Sequence, residues 1–196
     1  MNESDWWAFL KGYSRELLSD ERVTNDASAR IATEWMGFDG ASEAEISALE
    51  SQLGKRLPPS YRSFLSVSDG WRHPGPYIYD LWPVEQVAWF AERNQEWINA
   101  YVEPHAQLPY LSDEEYLVYG EKQDSVMFRA KYLQAALQIS DEGDSAVYLL
   151  NPQVVTQEGE WEAWFFANWL PGAERYRSFH EMMYAERESL CRLKAD

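Results

Sequence analysis

Residues 40–71, GASEAEISALESQLGKRLPPSYRSFLSVSDGW, constrain the fold more tightly than any other stretch of this chain. Ser42 and Glu45 stand three apart, the register of a capping box, in which hydroxyl and carboxylate each satisfy a free backbone N–H at a helix start. Ile46, Leu49 and Leu53 follow at intervals of three and four and give that helix one apolar face. Gly54 can take the left-handed conformation that ends it. Leu57-Pro58-Pro59 opens a second helix, since proline is tolerated in the first turn. Tyr61, Phe64 and Leu65 supply its buried side, and Gly70 stops it. The segment therefore predicts two short helices with a wedge of leucine and aromatic side chains between them.

The flanking sequence extends this into an α+β domain. Trp6, Phe9, Leu10, Tyr13 and Leu17 fall at helical intervals, and Ile31, Trp35 and Met36 suggest a second helix ended by Gly37. The polar run Ser19 to Ser28 between them predicts a loop. Tyr77-Ile78-Tyr79 is a strand candidate. Pro83 opens a helix whose stripe is Val84, Val87, Ala88, Ala91, Ile98 and Tyr101, with Pro104 breaking the pattern. Tyr116 to Tyr119 is a second strand candidate. Ala135 to Ile139 and Ala146 to Leu150 flank Asp141-Glu142-Gly143-Asp144, which predicts a hairpin with a longer loop. Trp161, Ala163, Phe165, Ala167 and Trp169 alternate with Glu160, Glu162, Trp164 and Phe166, the period of a strand with one face on a core. The second face is partly apolar near Trp164, so helices or loops cover it there. Ser178 and Glu181 form another capping box and start a last helix reaching about Leu193. Helices first, strands in the middle and a closing helix give a mostly antiparallel sheet flanked by helices. Residues 1–34 are expected to be a helical extension packed on a domain of residues 35–196.

Composition narrows the function. Seventeen Lys and Arg face 33 Asp and Glu, for a net charge of −16. That field repels nucleic acid and anionic membranes, and steers basic proteins inward. No segment approaches the roughly 20 apolar residues that span a bilayer. The first ten residues lack a basic and apolar leader, so a cytoplasmic location is expected. Ten Trp, twelve Tyr and eight Phe mainly compensate for a core short of Ile and Val.

Patterns for chemistry are absent. His73, His105 and His180 are scattered, and none lies four residues from another. Cys191, the one cysteine, lies towards a helix C-terminus, the wrong end for lowering a thiol pKa. No nucleophile elbow or phosphate-binding glycine loop occurs. The 141–144 turn lacks the spacing of a calcium loop. Glu160 and Glu162 point the same way from one strand and could pair as acid and base, but exposed strand carboxylates are the default. The chain is therefore expected to be no enzyme, with no cofactor and no metal.

The same residues carry a resemblance. Glu50, Leu53-Gly54, Leu57-Pro58-Pro59, Tyr61, Phe64-Leu65 and Gly70-Trp71 resemble, in that order, the entry motif of the SUKH superfamily. Leu81-Trp82-Pro83-Val84-Glu85-Gln86-Val87, Ile139 to Asp144, Tyr148 to Pro152, Gly159-Glu160-Trp161 and Ser178-Phe179 resemble its later blocks. The similarity runs from about Trp35 into the last helix. That superfamily includes fungal cell-wall-assembly regulators and many bacterial immunity proteins. The resemblance implies a non-enzymatic protein that neutralises a cognate toxin, a nuclease with a basic cleft being one candidate. Steering by an acidic face makes Asp113, Glu114, Glu115, Asp141, Glu142, Asp144, Glu158 and Glu160 the contact candidates. The alternative is a cytoplasmic interaction scaffold whose N-terminal arm docks through Trp6, Trp7 and Phe9.

Overall fold

The computed structural model describes residues 1–19, 34–109 and 111–195. Among the described residues, the first three helices are α1 (Glu3–Leu18), α2 (Glu43–Leu53) and α3 (Pro59–Val67). Each start follows from local chemistry. Asn2 and Asp5 form a reciprocal capping box on α1, and Ser42 and Glu45 form the expected one on α2. Gly54 ends α2 with a φ of +65°, and Pro59 occupies the first turn of α3. Ile46, Leu49 and Leu53 of α2 and Tyr61, Phe64 and Leu65 of α3 are buried as expected. The wedge is wider than two helices, however. The Phe64 ring lies 5.4 Å from Trp6 of α1 and 5.1 Å from Phe179 near the chain's end.

α1 packs against α3. The Trp6 indole donates to the Ser60 carbonyl at 2.9 Å. Trp6 and Phe9 are buried, which leaves Trp7 as the exposed ring of the three proposed for a docking arm. The expected loop from Ser19 to Ser28 and Ile31 of the expected second helix lie outside the described residues, apart from Ser19 itself, which caps α1. Trp35 and Met36 are not helical. Met36 N donates to Ser14 Oγ, its carbonyl accepts from Arg72 N, and Gly37 bridges to Trp71. These pairings give the segment extended partners that a helix would forfeit.

Strands β1 (Trp71–Arg72) and β2 (Asp80–Leu81) form an antiparallel pair. The main sheet has the order β3 (Ala88–Trp89), β4 (Leu137–Gln138), β5 (Ala146–Val155), β6 (Trp161–Ala167) and β7 (Ala173–Tyr176), antiparallel throughout. On one face Tyr148, Leu150, Trp161, Ala163 and Phe165 join α1, α2, α3 and the last helix, α6 (Phe179–Ala195). On the other, Val147, Leu149, Trp164 and Phe166 meet Phe90, Ile98, Phe128 and Leu133. β6 is thus buried on both sides.

Several local expectations are overturned. Tyr77–Tyr79 is irregular, and the strand begins at Asp80: His73, opposite Tyr79, takes a φ of 51°, which breaks the ladder after one more hydrogen bond to the Tyr79 carbonyl. The helix expected from Pro83 starts only at Gln95, as α4 (Gln95–His105), which carries Pro104 in its final turn. Before it lie a turn closed by Gln86 N on the Pro83 carbonyl, β3, and a 3-10 turn at Phe90–Glu92. Phe90 N donates to the Ala136 carbonyl, so pairing with a distant strand overrides the local period. Tyr116 ends a short helix, α5 (Asp113–Tyr116), and does not begin a strand. The 141–145 hairpin closes tightly: Gly143 pairs with Ala146, and Asp144 and Ser145 both have positive φ, the backbone of a primed two-residue turn. β6 ends at Ala167, leaving Trp169 in the following turn. At α6, Ser178 Oγ accepts from Glu181 N, but the Glu181 carboxylate takes the Arg177 N–H.

Candidate partner-binding surface

The eight acidic candidates occupy three places. Asp113, Glu114 and Glu115 form α5. Asp113 is ion-paired with Arg129 at 2.6 Å. Glu115 accepts from Ser112 N and Oγ, hydrogen bonds that hold its carboxyl below the usual range. Glu114 is exposed. Glu158 and Glu160 lie beyond β5. Glu158 is exposed, whereas Glu160 accepts from Ser60 N at 2.9 Å and Ser60 Oγ at 2.6 Å. It thereby sits at the N-terminus of α3, where the helix dipole favours an anion. Asp141, Glu142 and Asp144 precede β5. A ten-residue strand separates this turn from Glu158 and Glu160, a span of about 30 Å at the usual strand rise. The structure does not gather all eight into one face.

It does gather a different set around Asp141. A groove of about 640 Å³ is lined by Asp39, Asp69, Asp80 and Asp141, with Phe38 and Trp82 among its walls. Asp39 precedes α2 and Asp69 follows α3. Asp80 opens β2 and Asp141 leaves β4. The sides are tied by backbone: Asp80 N donates to Asp141 Oδ1, and Asp141 N to the Asp80 carbonyl, both at 3.1 Å. Asp69 Oδ1 accepts from Val84 N at 2.8 Å. Among the described residues lining the groove, Arg72 is the one base. Its Nη1 lies 3.6 Å from Asp80 Oδ1 and its guanidinium over the Phe38 ring. Burial pushes the Asp69 carboxyl above the ordinary aspartate range. The Val84 N–H draws it back, and Glu45 and Glu85 push it further up. Burial likewise raises Asp141; the Asp80 N–H draws it back and the Asp80 charge pushes it up. Four carboxylates against one guanidinium, two of them partly dehydrated, favour the entry of a further cation. Asp39, Asp69 and Asp80 come from separate segments, so no run of residues marks them as a group. The only local signal is that Asp39 and Asp69 each precede a glycine inside or beside the two-helix motif.

Glu162 corrects a second expectation. It is no exposed strand carboxylate and no partner of Glu160. Its side chain is sealed from solvent beside Arg175 at 3.3 Å. Tyr116 Oη (2.6 Å), Tyr119 Oη (2.9 Å), Asn151 Nδ2 (2.9 Å) and Trp164 Nε1 (2.8 Å) also donate to it. Both tyrosines have pKa values raised by burial and then by the Glu162 charge. This cluster pins α5 to the sheet. His180 is partly buried and its pKa is lowered by that burial. Among the described residues, no three His, Cys, Asp or Glu side chains are arranged to hold a metal ion. No helix among them is long and apolar enough to cross a membrane.

A family model described as the SMI1 / KNR4 family (SUKH-1) matches residues 40–184. The chain belongs to this family. Within the SUKH-1 match lie α2, α3, the whole sheet and three of the four groove aspartates, Asp69, Asp80 and Asp141. Asp39 and α1 of this SUKH-1 protein precede it. A search of curated proteins finds no match.

Proposed function

We propose that this SUKH-1 protein is an immunity protein: it binds a cognate toxin domain and blocks the active site, with no chemistry of its own. The observation that carries the reading is the groove, where four aspartates from four segments surround one arginine. A net charge of −16 speeds encounter with a basic surface. The groove then gives an incoming lysine or arginine its carboxylates, beside two rings, Phe38 and Trp82, that already stack with Arg72 and Arg93. A toxin that attacks nucleic acid carries such cations in its cleft, because phosphate binding requires them. The acidic groove competes for the same groups. Family membership supports a protein-binding role, and the cytoplasm is where such a toxin would be met.

The test is co-expression. A toxin domain encoded beside this gene should arrest growth alone and lose its toxicity when this protein is present. Replacing Asp69, Asp80 and Asp141 together by asparagine should restore toxicity. Persistent killing by every adjacent candidate, with this protein folded and abundant, overturns the reading.

A further inference from the structure

Beside the groove, three aromatic rings stand out from the surface. Tyr77 is 37% exposed, Tyr79 51% and Trp169 50%. They come from two loops far apart in sequence, and the 141–145 turn holds those loops together. Trp169 Nε1 donates to the Asp144 carbonyl, and Asn168 N to the Ser145 carbonyl, both at 3.0 Å. The Tyr77 backbone presses on Gly143, where a Cβ would come within 2.1 Å of the Tyr77 oxygen. The Tyr77 and Trp169 ring centroids are 5.3 Å apart, and both pack on buried Phe165. Tyr79 leads directly into groove residue Asp80.

Such rings would lose their exposed area to any partner; Tyr77 and Trp169 are already fixed from behind by Phe165, while Tyr79 meets the His73 ring edge-on. Aromatic side chains backed by core are the usual energetic centres of protein interfaces, because they cost little ordering on binding. Their neighbours set the partner's chemistry. Glu142 and Asp144 are exposed beside them and Asp141 is half-buried. The turn carrying these acids keeps two non-glycine residues at positive φ, Asp144 at 48° and Ser145 at 58°. Both angles are those of the primed two-residue hairpin turn, which fixes where these acids stand.

We infer that Tyr77, Tyr79 and Trp169, together with the acidic 141–144 turn, form an anchor that grips a protein surface rich in arginine or lysine. The anchor extends the aspartate groove into one interface. The inference rests on the binding function proposed above and adds where on the molecule most of the affinity resides. Cations lie against the ring faces and pair with Glu142 and Asp144, while the groove receives a neighbouring basic side chain.

The test uses the full chain and a defined probe, the ten-residue peptide (Arg-Gly)5, with (Glu-Gly)5 as control. With the tryptophan indoles labelled by ¹⁵N, the Trp169 resonance should shift saturably with the arginine peptide and stay fixed with the glutamate one. Trp169→Ala and Tyr79→Ala should each weaken the peptide by about 2- to 30-fold, the range expected for loss of a cation–aromatic contact. Asp144→Asn should also weaken it, since asparagine keeps the left-handed backbone while losing the charge. Trp7→Ala, which removes an exposed ring on α1, should change nothing. Unaltered peptide affinity in Trp169→Ala and Tyr79→Ala, with melting temperatures intact, overturns the anchor. If an adjacent toxin is found, a double variant that neutralises it as well as the parent does so too. Failure of every toxin co-expression, with peptide binding lost on these substitutions, would instead sink the immunity reading and leave the anchor standing.

Discussion

Glu162 on β6 and the aspartates of the groove carry the same charge in opposite company. Around Glu162 the chain supplies four neutral donors and the Arg175 guanidinium, and closes them off from water. Around Asp39, Asp69, Asp80 and Asp141 it supplies one arginine and the backbone N–H groups of Val84 and Asp80, and leaves the mouth open. A buried charge without partners costs several kcal/mol, so the fold answers such a charge from its own residues. A half-exposed cluster costs less, and the fold tolerates it under-compensated. The difference separates charges that hold the molecule together from charges available to another molecule.

Glu186 sharpens the contrast from a third position. It is buried almost as fully as Glu162, but its hydrogen-bond donor is Tyr148 Oη at 2.8 Å. Burial raises its carboxyl from the usual 4.5 to about 8, opposed by the Tyr148 hydrogen bond and assisted by the Glu174 charge. Tyr148 is itself raised by burial and by Glu186. Glu186 therefore stays protonated at neutral pH where Glu162 has a counter-ion.

The largest expected effect is at Glu162. Glu162→Ala strands Arg175 inside the protein and frees four donors, and should lower stability by about 5 kcal/mol, the upper end for breaking a buried pair. A urea midpoint shift worth under about 1 kcal/mol would mean that water or another acid takes over. Glu186→Gln should act in the opposite direction. The folded pKa lies above the unfolded one, so the native state holds the proton longer. The parent therefore loses stability as pH rises from about 4.5 to about 8. The variant should match the parent near pH 4 and exceed it above pH 8, by on the order of 4–5 kcal/mol. Melting curves across that range check it, and a pH-independent gap contradicts it. Phe64→Ala removes a ring held between Trp6, Tyr61 and Phe179 and should cost about 3–5 kcal/mol, read from the same urea curves. The smallest stability change belongs to the groove. Asp69→Asn and Asp141→Asn should each stabilise by a few tenths of a kcal/mol at pH 7, after allowing for solvent screening. Both carboxyls are raised on folding, so this gain should vanish as pH falls below the ordinary aspartate range. A clear loss of stability would place them with Glu162, as structural charges.

Features set by neighbouring residues were legible in the sequence; those set by distant partners were not. The capping box at Ser42, Gly54 at the end of α2 and Pro59 at the start of α3 are satisfied within a few residues, and all were legible. So was the alternation along β6. Residues 83–94 were not, because Val84, Val87, Ala88 and Ala91 mimic a helical stripe while the backbone pairs with residues 136–138. Tyr116 and Tyr119 looked like strand residues, but they serve a carboxylate more than forty positions away. The groove joins positions 39, 69, 80 and 141, and only Asp141 lay in a run acidic enough to attract notice. Glu160 lay in such a run too, and it proves to hold the start of α3.

Association kinetics decide whether the open acidic cluster serves a basic protein partner. Stopped-flow binding of the neutralised toxin domain should be compared between the parent and the Asp69→Asn/Asp80→Asn/Asp141→Asn variant at two salt concentrations. The on-rate should be about tenfold lower for the variant at low salt, with the gap closing as salt screens the field. Equal on-rates at both salt concentrations would contradict that role.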